Sequence, residues 1–205
     1  VTIDRAGLPF ILAALAPGAV LVLVGRPWWG GPFFLLAAFF AFFFRDPERR
    51  PPPGNNLVVA PADGTVMWAG SARDAAPAGR WQQVTIFLSP LDVHVNRVPA
   101  GGRVTRVDFH AGSFLPAYKP ESAANERTEI WVEHDGQPIV FRQVVGVLAR
   151  RVVCRLQSGQ EVQTGQRFGL MKFGSRMDVF LPEHARLRVR ARDRVVGGET
   201  VIAEL

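Results

Sequence analysis

The chain has 205 residues, 24 of them Lys or Arg and 18 Asp or Glu, for a formal net charge of +6. That length buries one sizeable core, leaves room for a small appendage and needs no covalent staples. A single cysteine, Cys154, excludes an internal disulfide and any multi-cysteine metal site, and His94, His110, His134 and His184 show neither HExxH nor paired ligand spacing, so no metal is expected.

The basic residues are almost all arginine, whose planar fork of donors suits phosphate. Charge alone serves nucleic acid and anionic lipid equally well; the apolar residues separate the two. Residues 8–24 (LPFILAALAPGAVLVLV) and 28–44 (WWGGPFFLLAAFFAFFF) carry no charge, which favours a membrane and no nucleic acid. As a helix, each 17-residue run would span roughly 26 Å against a hydrocarbon core of about 30 Å. Pro17 and Gly30-Gly31-Pro32 weaken the case for two straight, independent spans. A secretory signal is disfavoured, because no basic region precedes a single apolar block and a second block follows at once. Arg5 precedes the pair, Arg26 divides it, and Arg45, Arg49 and Arg50 follow. The positive-inside bias then sets both ends on the cytoplasmic face of the cell (inner) membrane, as a hairpin or a shallow re-entrant anchor with Trp28 and Trp29 at the interface. The competing reading is a pair of core helices in a soluble protein.

RDPERRPPPGNN (45–56) is charged, then proline-rich, then polar, and reads as a linker. Beyond it come short alternating segments, LVVAPADGTVMWAG, QQVTIFLS, RVTRVDF, TEIWVEH, QPIVFRQVV, VLARRVVCRL, MDVFLP, ARLRVRAR and TVIAEL, with turn residues between many of them. No strand–helix alternation appears, which argues against a doubly wound sheet. The expectation is a mainly β protein: residues 1–50 form an apolar helical membrane anchor, and residues 51–205 an antiparallel, barrel- or sandwich-like catalytic domain. Within it, ARLRVRARDR (185–194) puts Arg186, Arg188, Arg190, Arg192 and Arg194 on one face of a strand, read as a solvated edge ahead of a lipid-phosphate site. Basic neighbours around Cys154 would lower its pKa, although a lone cysteine in an apolar strand usually serves as core filler.

Three groups combine a turn with a polar residue that packing does not explain. In PADG (61–64), Asp63 falls between a strand and Gly64; in SPLDVHVNRVP (89–99), Asp92, His94 and Asn96 share a face if the segment is extended; in FGSR (173–176), Ser175 opens a strand. Asp63, His94 and Ser175 in that order suggest a hydrolase triad, but the nucleophile-elbow pattern GxSxG is absent. Spacing alone names no reaction.

The ordered blocks FFRDPERRPP, APADG, FLSPLDVHVNRVP, GSFLPAYKPESAANERTE, VVGVLARRVV and GQRFGLMKFGSRMDVFLP resemble phosphatidylserine decarboxylase, in particular its short bacterial and archaeal proenzyme. The resemblance implies self-cleavage between Gly174 and Ser175. Serine attacks its own preceding carbonyl, amide becomes ester, and β-elimination followed by hydrolysis leaves a pyruvoyl group at position 175 and releases ammonia. Glycine suits the strained bend and leaves the carbonyl open. That covalent group is then the only cofactor; it forms a Schiff base with the amine of phosphatidylserine and accepts the electrons left by carbon dioxide. By the same resemblance Asp63 assists cleavage, His94 returns the proton to the α-carbon, and Arg97, Arg127 (in NERTE) and Arg150 (in LARR) are candidates for binding substrate. Longer members carry a second histidine in DxHxxH where this chain has Arg97, so either His94 serves both steps or Arg97 stabilises the cleavage oxyanion beside a different base. The implied partners are phosphatidylserine, the membrane, and the two cleaved chains for each other; a homodimer is compatible with it. The alternatives are a non-catalytic, membrane-anchored β-rich module that binds lipid or protein, and a serine hydrolase with Ser175 intact.

Overall fold

The computed structural model describes the chain except at positions 74, 75, 118, 120, 121, 123, 148–151, 173 and 174. Two compact units emerge, Val1–Glu48 and Arg49–Leu205.

In the first unit, α1 (Leu8–Leu23) and α2 (Pro27–Phe43) form a helical hairpin, and β1 (Thr2–Ile3) pairs antiparallel with β2 (Arg45–Asp46). Asp4 opens the helical segment, its Oδ1 accepting from the Ala6 amide at 2.9 Å. Pro17 and Pro32 are absorbed inside their helices. The helices cross on small residues: a Cβ added to Gly30 would lie 2.9 Å from the Gly18 carbonyl oxygen. Leu12, Leu23, Trp28 and Leu35 are exposed. The helical stretch Arg5–Leu23 is long and apolar enough to cross a membrane, with only 17% of its most apolar window buried. A helix that is apolar all round and unburied suits lipid, so the unit points to membrane association.

The second unit is antiparallel β. Its strands are β3 (Leu57–Val59), β4 (Gly64–Ser71), β5 (Trp81–Leu88), β6 (Val95–Arg97), β7 (Gly102–His110), β8 (Arg127–His134), β9 (Gln137–Val144), β10 (Val152–Cys154), β11 (Glu161–Val162), β12 (Arg167–Met171), β13 (Ser175–Pro182), β14 (Arg186–Leu187), β15 (Arg194–Val195) and β16 (Val201–Glu204). Eight of them make one sheet in the order β11-β7-β8-β9-β13-β5-β4-β15, curled into a half-barrel. Two three-stranded sheets, β10-β12-β6 and β14-β16-β3, complete the unit.

Period-two alternation sorts the two faces of β13. Met177, Val179 and Leu181 enter the main core with Ile86, Ile130, Phe141, Phe168 and Ile202. Arg176 and Asp178, equally buried, face the other way. Phe180 shares that second face and packs with Trp81 and Val140 in a separate cluster.

The arginine-rich run 185–194 departs from the single strand expected. Only Arg186–Leu187 and Arg194–Val195 pair, and between them Arg192 takes a positive φ of 79° while the Asp193 carboxylate accepts from the Arg190 amide at 2.9 Å. A side-chain-capped turn breaks the run without a glycine to announce it. Arg194 thereby folds back against Thr65 and Asp92 instead of joining an arginine face.

Candidate active site

Ser175 is the first residue of β13 and fully buried, and its Oγ makes no hydrogen bond among the described residues. An unsatisfied buried hydroxyl is costly and asks for a role. Its strand pairs with β5 so that Ser175 sits opposite Leu88. Both chains then leave the large sheet for the small one and meet again there: Leu170 pairs with Val95, and the Met171 amide donates to the His94 carbonyl at 3.2 Å. Segment 89–93 is thus held at both ends, by the β5–β13 pair and by the β6–β12 pair. This double closure brings the His94 backbone against Met171, four residues before Ser175 in the chain.

His94 is fully buried, and its Nδ1 lies 2.9 Å from the Asp92 carbonyl oxygen. In the neutral ring that contact places the proton on Nδ1 and leaves Nε2 as the basic nitrogen. The segment before it is a turn and not an extended strand. The Asp92 amide donates to the Ser89 carbonyl, and Asp92 Oδ2 accepts from the Ser89 amide at 2.8 Å. Asp92 Oδ1 takes Arg194 Nη2 at 2.6 Å. Burial works to raise the Asp92 pKa, but Arg194 and the Ser89 amide outweigh it and hold the carboxyl below its ordinary value.

Asp63 lies just before β4, on the far side of β5 from Ser175. Continuing the β4–β5 register by one pair sets Gly64 against Leu88, the partner of Ser175. Two strand spacings put the backbones of Ser175 and Gly64 about 10 Å apart. Any Cβ at Gly64 would strike the Phe87 carbonyl, so glycine alone permits this approach. The Asp63 carboxylate accepts from Arg49 Nη2 (2.9 Å to Oδ2) and from the Gly197 amide (2.8 Å to Oδ1).

Arg97 belongs to this second group. Its amide donates to the Pro61 carbonyl at 2.8 Å, its Nη1 donates to the Gly165 carbonyl at 3.1 Å, and a Cβ on Gly198 would touch its Cδ. Arg127 opens β8 in a cross-strand row that runs His110, Arg127, Val144, Arg176, Phe87, and its Nε makes no hydrogen bond among the described residues. Burial first, then the positive charge of Arg142, lowers its pKa. Gly174 and Arg150 lie outside the described residues.

A charged row across the large sheet is not legible from any single segment. Asp108, Glu129, Arg142 and Asp178 form one row across β7, β8, β9 and β13. Asp108, His110 and Glu129 bring ligand-type atoms within 4.8 Å of one another. Arginines already occupy these carboxylates: Arg106 pairs with Asp108 at 2.6 Å, and Arg142 with Glu129 at 2.5 Å. Cys154 also departs from the thiolate reading, since burial raises its pKa despite its basic neighbours.

A model of the family described as phosphatidylserine decarboxylase matches residues 36–203, which include every residue named above for the site. The chain belongs to the phosphatidylserine decarboxylase family. It is 43% identical over 149 residues to the phosphatidylserine decarboxylase proenzyme of Prosthecochloris aestuarii, covering 72% of this chain and 69% of that protein. Against the proenzyme of Chlorobium limicola it is 44% identical over 147 residues, covering 71% and 69%. Against that of Rickettsia akari it is 42% identical over 154 residues, covering 72% and 67%. In this phosphatidylserine decarboxylase fold, Ser175 and Asp63 stand at the same end of β13 and β4, and His94 lies on the segment that leaves β5 at that end and leads into β6. A cavity of about 370 Å³ between Trp81, Gln137 and Pro182 opens at the other end of β13 and contains none of them.

Proposed function

We propose that this chain is a phosphatidylserine decarboxylase that makes its own pyruvoyl group by breaking the bond between Gly174 and Ser175. The observation that carries the reading is the buried Ser175 Oγ, without a hydrogen bond among the described residues, at the head of β13. The relatives' name of proenzyme supports a chain that must be processed.

In this reading Ser175 Oγ attacks the Gly174 carbonyl carbon, and the C–N bond gives way to an ester. Removal of the Ser175 α-proton then expels the ester oxygen from Cβ. Residues 1–174 leave with a free carboxylate, and water hydrolyses the remaining enamine to a ketone and ammonia. His94 Nε2, whose ring is oriented through Nδ1, carries the proton in this scheme, and Asp63, fixed by Arg49 and Gly197, is the carboxylate that assists.

The group so made would sit at the buried end of β13 and supply an electron sink for loss of carbon dioxide from an amine-bearing carboxylate. His94 would hold the proton returned to the α-carbon. Arg97 and Arg127 are candidates for the lipid phosphate, as is Arg150 by its place in the sequence. The arginines that flank the apolar hairpin favour the cytoplasmic face of the cell membrane. Anchoring suits the substrate, because lifting a diacyl lipid into water costs about 0.8 kcal/mol for each exposed methylene.

Intact-protein mass spectrometry tests the reading. The purified protein should yield two chains split before position 175, the smaller one blocked to Edman chemistry and lighter by one ammonia than a serine-ended chain. Ser175→Ala should leave one uncleaved, inactive chain. A full-length chain that decarboxylates phosphatidylserine would overturn the proposal.

A further inference from the structure

Within Arg49–Leu205 the described residues include five large apolar side chains that are 39 to 67% exposed: Leu91, Phe109, Phe114, Leu115 and Val147. Scattered single cases need no explanation. These five are not scattered. Leu91 follows β5 three residues after Leu88, the partner of Ser175. Phe109 is the penultimate residue of β7, and Phe114 and Leu115 lie in the loop leading to β8. Val147 follows β9 three residues after Val144, which pairs with Arg176. All five therefore stand at the end of the large sheet where Ser175 begins its strand.

The loops that carry them are built to hold position. Asn125 is fully buried; its Oδ1 accepts from the Leu115 amide at 2.9 Å, and its Nδ2 donates to the carbonyls of Leu115 at 2.7 Å and Val145 at 2.8 Å. One side chain thus clamps the Phe114-Leu115 loop to the exit of β9. Ser113 pairs with Asn125 in a further bridge. Apolar side chains held outward on fixed backbone are a surface feature and not a failure of packing.

We infer that these loop tips form a rim that dips into the interfacial layer of an anionic bilayer, a second membrane contact separate from the helical hairpin. The inference rests on the reading that the Ser175 site acts on a diacyl phospholipid, whose headgroup must arrive at this end of the sheet while its chains stay in the bilayer. Charge agrees: Lys119 lies exposed in the same loop, against a negatively charged lipid surface. Three separate loop tips ringing a site suit shallow insertion better than they suit the single packed patch of a protein interface.

Depth-dependent quenching tests this on the full chain with Ser175→Ala, so that the result does not depend on catalysis. In a Cys154→Ser background, Leu91→Cys, Phe114→Cys and, as a control at the opposite end of the sheet, Glu183→Cys are each labelled with an environment-sensitive fluorophore. Each chain is bound to phosphatidylcholine vesicles containing phosphatidylserine and nitroxide-bearing lipids. The two rim labels should shift to the blue and lose most of their fluorescence to nitroxides near the lipid carbonyls, and less to nitroxides near the chain ends; the Glu183 position should lose little. Equal quenching at all three positions, or rim labels untouched by lipid nitroxides, would overturn the rim. So would rim labels shielded from aqueous iodide only as protein concentration rises in detergent, which would make the surface a self-association face.

Discussion

Arg49 grips the Asp63 carboxylate with Nη2, 2.9 Å from Oδ2 and 3.3 Å from Oδ1, while its Nη1 reaches Glu199 at 3.3 Å. The Arg50 amide adds a second bond to Glu199 at 3.1 Å. The residues that open the catalytic unit thus fix the orientation of the aspartate proposed to assist self-cleavage. Arg49→Ala should slow conversion of the proenzyme into two chains by about 10- to 100-fold, the scale of one charge-assisted hydrogen bond. Arg49→Lys should recover part of the rate. A pulse-labelled time course of chain cleavage measures both, and wild-type kinetics in the alanine variant would remove Arg49 from maturation.

His94 and Asp92 make a shorter-range pair, since the ring nitrogen and the carbonyl oxygen belong to residues two apart. With Nδ1 engaged, Nε2 is the ring nitrogen whose lone pair can take up a proton. His94→Asn keeps a side-chain N–H able to mimic Nδ1 but has no titratable nitrogen. Its decarboxylation should fall by about 10²- to 10⁴-fold, the usual worth of a positioned acid or base. Chain cleavage in the same variant separates the two roles. If cleavage persists while carbon dioxide release is lost, His94 serves turnover alone and a different base drives maturation; if both fail, one histidine does both jobs in a chain that has Arg97 at the second position. Normal turnover would remove the proposed proton donor.

Local patterns carried most of the fold. Alternating segments bounded by Gly, Pro and Asp became strands, and Asp63 and Ser175 fall at strand mouths as their neighbours suggested. What stayed hidden was set by long-range pairing or by side-chain capping. The row Asp108, Glu129, Arg142, Asp178 joins residues from four strands, and no single segment reveals it. Segment 89–92 turns because the Asp92 carboxylate caps the Ser89 amide, which alternation cannot register. Arg192 bends the arginine run for a similar reason. The site shows the same division: Ser175 is proposed from the ordered blocks, whereas Arg49 and Arg194, the partners of Asp63 and Asp92, emerge only from the folded chain.

Two carboxylates make stability depend on acid. Glu129 has its pKa lowered even though burial opposes this, because the Trp131 indole N–H and Arg142 favour the charged form; Asp92 is lowered against burial by Arg194 and Ser89. Folded-state values below the ordinary 4.5 and 3.8 mean that the native state binds fewer protons than the unfolded one. Their stabilisation is complete above those ordinary values and is lost as pH falls through the lower folded values. Urea midpoints should hold steady from neutral pH to about 5 and then drop. Glu129→Gln should lower the neutral midpoint and flatten the acid drop; an unchanged slope would show that the pair does not contribute.

Asp178 anchors a buried hydrogen-bonded chain on the second face of β13. Its Oδ2 accepts from Arg176 Nη2 at 3.0 Å and its Oδ1 from Thr85 Oγ1 at 2.8 Å, while Gln83 Nε2 donates to Thr85 at 2.9 Å. Arg176 spends Nη1 on Ser122 Oγ at 2.6 Å, which ties the residue after Ser175 to the loop that carries Phe114. Asp178→Ala leaves that guanidinium buried with its charge uncompensated, which should cost about 3–5 kcal/mol of unfolding free energy by chemical denaturation. Replacing both members with apolar residues, Arg176→Met with Asp178→Leu, should cost much less, because no charge is then stranded. The double variant should nevertheless mature more slowly, since the Ser122 tie beside the cleavage strand is gone. A double variant as unstable as Asp178→Ala would show that the network contributes through shape and not through charge pairing.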